Sequence, residues 1–512
     1  MRIQNTMKNI FINISSQIVM IILGFISRKV FIDSLGIEYL GINGLLTNII
    51  SMLALIESGI GASIVYSLYK PLAEKNHPKI IALIQLYKKA YTIIAFIILG
   101  LSILLFPFLG LLMKGDNSIS SITIIYFLFV AKNIVYYLNA HKVVLINADQ
   151  KGYVLGRINL VFQIITTLGK IVVLIFTENY ILYLFIELVL FIFQTVLNGK
   201  IVEKRYSYIK TKHKMAIDQK EKSGLIKNIK ALFLHNLGGY AVHGTDNMLI
   251  SAFIGISTVG LYSNYLMIIG QLSSLLTPII SGAGASIGNL IATEKSDKQY
   301  SVFQMIFFVN FWLYSVSVIC LLNLLEPFLN WWLGEGYLLD RLTFYILLVN
   351  FYLTGMRGSI LTFKIKGGIF TQDKYFPIIG ALVNLLLSIL LVKYLGLAGI
   401  FLGTTASTLI LFWNAPRLVY KHIFKVPVRL YFHKFLFYTI ITILTCLITT
   451  SIINSLVFGN TFLSLILRGA ICFIIPSFVY CIVFYRTKEF HYIRELFNGM
   501  FLGIKVKLKS SA

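Results

Sequence analysis

The chain has 512 residues, 57% of them apolar and only 13% charged, with a formal net charge of +25. A soluble domain carries about a quarter charged residues, so this composition excludes a protein whose whole surface faces water. In so apolar a chain the basic excess points to anionic lipid headgroups and positive-inside topology rather than to nucleic acid.

Apolar runs of bilayer-spanning length recur from Ile10 to Tyr485. Spans are expected at 10–32, 38–68, 90–113, 121–147, 154–177, 180–200, 231–255, 260–290, 301–325, 342–365, 375–394, 397–420, 434–456 and 464–485. That makes about fourteen transmembrane helices in an all-α polytopic protein. The basic start, MRIQNTMKNIF, has no A-x-A-like cleavage site after it, so the first helix is read as retained. Lys and Arg concentrate in Lys70–Lys89, Lys200–Lys230, Arg417–Lys434 and the tail from Arg486. The alternate connections, Lys114–Ser120, Glu178–Tyr180, Gly255–Gly260, Glu326–Arg341 and Val457–Leu463, hold almost none beyond Lys114 and Arg341. The positive-inside rule then places both termini in the cytoplasm.

The chain divides on this pattern into a six-helix lobe at 1–200 and a basic linker at 201–230. A second six-helix lobe at 231–420, two additional helices at 421–485 and an amphipathic basic tail at 486–512 follow. The stretch Pro78–Tyr91, with Ile80, Ile81, Leu83, Ile84 and Tyr87 among basic residues, reads as an interfacial helix, as does the tail. The cysteines Cys320, Cys446, Cys472 and Cys481 all lie in apolar runs without metal-ligand spacing, and read as small packing residues.

An internal repeat is visible. Leu35–Ile42 (LGIEYLGI) aligns with Ile254–Leu261 (IGISTVGL), and Gly61-Ala62-Ser63 with Gly284-Ala285-Ser286. Both copies run in one orientation, which is the signature of a parallel repeat, with a substrate path between the halves. Two pseudo-symmetric bundles around a central cavity are therefore expected. The span QLSSLLTPIISGAGASIGNL carries Pro278, Gly282, Gly284 and Gly288, and its partner carries Gly59 and Gly61. Interrupted helices at matching places point to a moving, cavity-lining element.

An ionisable residue within a span is a functional candidate by default. The first bundle offers Arg28, Glu57, Lys132, His141, Lys142 and Lys170; the second offers His235, His243, Asp246, Arg357, Lys364 and Arg468. The set is mainly cationic and suits an anion such as phosphate. Lys142, Lys364 and Arg468 lie near span ends, where snorkelling explains them. Arg28, Lys132, Lys170 and Arg357, with Glu57, are the residues expected to line the anion-binding cavity.

Thr245–Tyr265, TDNMLISAFIGISTVGLYSNY, resembles the polysaccharide-exporting (Wzx-type oligosaccharide flippase) branch of the multidrug/oligosaccharidyl-lipid/polysaccharide exporter superfamily. LGFISRKVFIDSLGIEYLGINGLL and LGLAGIFLGTTAS are similar to the same branch. The resemblance implies a cytoplasmic N-terminus, two lobes and alternating access. It also implies flipping of undecaprenyl-diphosphate-linked oligosaccharides for capsule or another surface polymer, in the bacterial cell membrane. Related flippases carry two arginines around a Leu-Gly-Phe; here only Arg28 follows Leu23-Gly24-Phe25. The resemblance further implies a coupling site at Asp246, Asn384 and Thr404, where Ser388 stands in place of a second acid. Sodium or a proton is the implied coupling ion, and no other cofactor or resident metal is expected. The expected partners are the lipid-linked oligosaccharide, anionic lipids, and polysaccharide polymerase and assembly proteins.

Two other classes compete with this reading. A membrane polymerase or glycosyltransferase needs a large outer loop, and the longest expected one, Glu326–Arg341 with Trp331 and Trp332, could not house a domain. A cationic-drug exporter prefers an acidic cavity, whereas this set is basic. No catalytic residue is assigned, and the chain is read as a transporter rather than an enzyme.

Overall fold

The computed structural model describes residues 2–495 except 58–59, 114–120, 212, 214, 216, 220–221, 227–228, 230–232, 234–243, 282–283, 370–371, 373–374, 457 and 493. At 2–16, 18, 62, 281 and 285 it describes the backbone alone. The described residues form helices and no strand. Twelve helical segments among them are long and apolar enough to cross a membrane. A helix satisfies its own backbone hydrogen bonds, and that is what a single apolar run needs in lipid.

The chain forms two compact units, Met1–Ser263 and Asn264–Ala512. The first holds α1 (Arg2–Leu35), α2 (Ile37–Leu53), a 3-10 turn (Ala54–Glu57), α3 (Ile60–Ala73), α4 (His77–Leu105) and α5 (Ile122–Ala148). It continues with α6 (Tyr153–Thr177), α7 (Tyr180–Arg205), α8 (Asp246–Phe253) and the start of α9 (Ile256–Ser281). The second holds the rest of α9, then α10 (Gly284–Thr293), α11 (Ser296–Leu333), α12 (Arg341–Met356) and α13 (Gly358–Lys366). It ends with α14 (Phe376–Leu395), α15 (Leu397–Val419), α16 (Arg429–Ser455) and α17 (Phe462–Phe484).

Helix starts follow from local chemistry. The Asn76 side chain accepts from Lys79 N at 3.1 Å, with Pro78 in the first turn of α4. Asn179 accepts from Leu182 N at 3.0 Å, and Asp340 from Thr343 N at 2.9 Å. Each cap satisfies a backbone N–H that the helix leaves open. Gly396, at φ +54°, alone separates α14 from α15. The two helices then pack closely, because a Cβ at Gly399 would stand 2.3 Å from Leu391 O and one at Gly403 2.8 Å from Asn384 O. Small residues of this kind let helix backbones approach in the membrane. In the second unit α11, α16 and α17 share an aromatic core in which Phe311 stacks on Tyr438 with ring centroids 4.2 Å apart. Outward-facing side chains such as Phe176 and Leu386 are exposed and apolar, as a lipid-facing surface requires.

The repeat reappears as structure. Within the first unit, a Cβ at Gly41 would lie 2.0 Å from Ile256 O, and one at Gly260 would lie 2.2 Å from Ile37 O. Gly41 follows Ile37 as Gly260 follows Ile256, so the two copies make the same contact reciprocally.

Three expectations are corrected. Pro78–Tyr91 is not a separate interfacial helix: it is the first half of α4, and Ile80, Ile81, Leu83, Ile84 and Tyr87 are buried by neighbouring helices. The span expected at 38–68 is not one uninterrupted α-helix, because α2 gives way to the 3-10 turn at Ala54. Trp331 and Trp332 are not in a loop, since α11 runs on to Leu333 through Pro327. Up to residue 243 the seventh span expected at 231–255 lies outside the described residues apart from 233, as do His235 and His243. Most of the expected amphipathic tail lies outside them too.

Candidate functional site: a partly buried lysine–glutamate–lysine cluster

In the first unit α7 packs against both α5 and α6, and each of the three contributes one charge to a common point. Lys132 comes from α5, Lys170 from α6 and Glu187 from α7. The Lys170 ammonium donates to Glu187 Oε2 at 2.5 Å, and the Lys132 ammonium donates to Glu187 Oε1. Lys170 also sits over the Tyr183 ring, 4.2 Å from its centroid. Tyr183 and Glu187 are four residues apart and so share one helix face. Side-chain exposure is 16% for Lys170, 19% for Glu187 and 42% for Lys132. The cluster borders a cavity of about 190 Å³ that Asn43, Thr47, Phe129 and Leu184 complete. Tyr180 donates to Asn43 Oδ1 at 3.3 Å, fixing α7 to α2.

Two ammonium groups share one carboxylate, so a positive charge is left over. Arg28 comes from α1, which packs along α6, and its electrostatic neighbour is Tyr183, the residue whose ring Lys170 covers. Phe31, one turn on from Arg28, meets Tyr183 and Tyr180 with centroids 5.3 and 5.7 Å away. Arg28 Nη1 is buried and has no hydrogen-bond partner among the described residues. A guanidinium nitrogen left open beside surplus cationic charge suits an anionic oxygen.

The other expected residues fall elsewhere. Glu57, on the 3-10 turn, accepts from the Tyr91 hydroxyl, which itself accepts from Tyr87 at 2.9 Å. It forms a separate carboxylate–tyrosine cluster that joins the turn to α4, apart from the lysine site. Lys142 pairs with Glu203 at 2.8 Å. Arg357 caps α12 in the second unit and Lys364 is buried in α13, while Arg468 lies over the Phe458 ring at 4.8 Å. Asp246 opens α8, is buried, and has one carboxylate oxygen without a partner among the described residues.

Asn384, Ser388 and Thr404 do come together, buried between α14 and α15. Asn384 Nδ2 donates to Thr404 Oγ1 at 2.9 Å and Ser388 Oγ donates to Ile400 O at 2.9 Å. Asn384 Oδ1 is left without a partner among the described residues. This donor set is neutral, and Asp246 belongs to the other unit. Sequence reasoning missed Glu187. The signal was there: a lone carboxylate in the apolar run YLFIELVLF must find a cation or water.

Among the described residues, helices of membrane-spanning length form both units, and a partly buried cationic cluster lies in the first. The chain belongs to the polysaccharide biosynthesis protein family, whose model matches residues 6–285. Its fold is that of the multidrug/oligosaccharidyl-lipid/polysaccharide exporter superfamily. A lipid II flippase, MurJ, in an inward closed conformation superposes with a TM-score of 0.65 at 15% identity, over 93% of this chain and all of that one. An inward-facing multidrug resistance MATE family transporter of the same superfamily gives 0.59 at 12% identity, over 81% of this chain and 99% of its own. A MATE multidrug transporter, DinF-BH, solved as a complex, gives 0.55 at 14% identity, over 81% and 95%. No curated protein sequence matches the chain.

Proposed function

We propose that the protein is a flippase carrying undecaprenyl-diphosphate-linked oligosaccharide repeat units from the cytoplasmic to the outer leaflet of a bacterial cell membrane. The observation that carries this reading is the Lys132–Glu187–Lys170 cluster with the open Arg28 nitrogen beside it. The head of such a lipid carries two phosphates, and its passage needs cations to offset lost hydration. Glu187 holds the two lysines in place and leaves charge to spare, so a diphosphate meets an attractive site without an unpaired lysine in its absence. Several shared contacts also let the anion leave. An anionic head moving outward gains about 2.3 kcal/mol per charge for each 100 mV of inside-negative potential.

The family match supports polysaccharide synthesis as the setting, and the basic loops support a cytoplasmic face at Lys200–Lys230. We place any coupling on Asp246, whose open oxygen takes a proton more readily than the neutral Asn384 cluster takes sodium. The direct test uses purified protein in liposomes bearing a polyprenyl-diphosphate oligosaccharide, with an impermeant glycosidase reading the outer leaflet. Transfer that depends on the protein supports the reading. No transfer, with export of a cationic dye instead, contradicts it.

A further inference from the structure

The second unit carries a cavity that the transport reading does not use. It has a volume of about 370 Å³ and lies at the ends of α11 and α17 remote from Lys434 and Arg486. Its polar lining is Glu326 and Asn330 of α11, Asn460 and Thr461 of the turn before α17, and Arg468 of α17. The Arg468 guanidinium lies over the Phe458 ring and makes no ion pair among the described residues. Glu326 faces the same space. Its Oε1 accepts from the Tyr265 hydroxyl at 3.4 Å, and that hydroxyl accepts from Leu339 N at 3.1 Å, so the carboxylate is held from behind. A positive and a negative group thus line one pocket without bonding to each other.

A second cleft of about 330 Å³ adjoins it, and Leu465 lines both. Apart from Cys320 its lining is wholly aliphatic and aromatic, including Leu324, Phe328, Phe462 and Ile466. A polar pocket with opposite charges beside an apolar cleft has the shape of an amphiphile with a zwitterionic head.

We infer that these two cavities bind a membrane phospholipid whose head carries both a phosphate and an ammonium group, as phosphatidylethanolamine does. Arg468 takes the phosphate, with Asn460 and Thr461 as neutral donors beside it. Glu326 takes the ammonium, and the acyl chains lie along the cleft. An anionic lipid lacking the ammonium meets Arg468 equally well but is repelled by Glu326, so the site discriminates by headgroup.

Native mass spectrometry of the full chain tests this, with phosphatidylethanolamine and phosphatidylglycerol of matched acyl chains added in turn. Wild-type protein is expected to retain the ethanolamine lipid in preference. Arg468→Gln removes a charge-assisted contact and lowers that adduct about tenfold. Glu326→Gln abolishes the preference while phosphatidylglycerol stays bound. Leu465→Trp, which fills both cavities and leaves every charge in place, lowers both adducts and keeps the test open if a charge variant fails to fold. Equal retention of the two lipids by wild-type protein, or wild-type levels in all three variants, overturns the assignment. Displacement by glycerophosphoethanolamine at the same concentration as the lipid overturns it too, because a soluble head would then suffice.

Discussion

Gly41 and Gly260 hold equivalent places in the two copies of the internal repeat, and each lies against the backbone carbonyl of the isoleucine that opens the other's helix. Glu38 and Ser257, also equivalent, meet across the same contact, with the serine hydroxyl 3.5 Å from Glu38 Oε1. Residues that meet their own counterparts are the mark of a local two-fold relation. The glycines are there because no side chain fits. Gly41→Ala and Gly260→Ala each force α2 and α9 apart, at a cost of about 1–3 kcal/mol. Gly100→Ala, where nothing lies within 4 Å of the added carbon, leaves stability unchanged or improved. Thermal unfolding of the purified variants checks both halves of this expectation.

Glu187 is expected to matter more to stability than either lysine it binds. Lys170→Met leaves Glu187 with Lys132, whereas Glu187→Met strands two ammonium groups in a poorly hydrated site. Breaking a buried pair costs about 3–5 kcal/mol, with the half-exposed Lys132 adding little. The double variant Glu187→Met with Lys170→Met restores much of the loss. Denaturation of the four proteins gives the coupling energy directly.

At Glu57 the tyrosines are the support. Tyr91→Phe removes the donor to the carboxylate and also leaves the Tyr87 hydroxyl without its acceptor. A loss of about 1–3 kcal/mol is expected. Glu57→Gln retains an acceptor for Tyr91 and costs less. Unfolding measurements that reverse this order would remove the cluster from the account.

Asp246→Asn is expected to fold and reach the membrane at normal abundance while slowing transport, since the amide cannot exchange a proton. The check is the pH dependence of transfer in liposomes. Transfer that flattens with pH in the variant supports coupling there, and an unchanged profile makes Asp246 structural.

Much of this architecture was legible in the sequence because a span needs about 20 apolar residues and little else. The repeat was legible through its glycines, whose spacing is dictated by one close contact. Lys132 and Lys170 stood out as charges inside apolar runs. What they bind did not, because Glu187 lies 17 residues from Lys170 and 55 from Lys132 and is joined to them only by packing of α7 on α5 and α6. The start of α4 was misread for a related reason. The pattern around Ile80–Tyr87 shows an apolar face, and only tertiary packing decides whether lipid headgroups or other helices cover it. Trp331 and Trp332 were misplaced because the apolar span was ended at 325, before Glu326, whereas α11 runs on through Pro327 to Leu333.

The central claim is that the surplus positive charge at Arg28, Lys132 and Lys170 moves a diphosphate across the membrane. It is tested most directly by the double variant Arg28→Gln with Lys170→Gln, expressed in the cell that makes the polymer. Lipid-linked repeat units on each leaflet and polymer at the surface are measured together, with the protein confirmed in the membrane. The account predicts that polymer falls and that unpolymerised precursor accumulates in the inner leaflet. Normal export by the double variant, or precursor collecting on the outer leaflet, would contradict it.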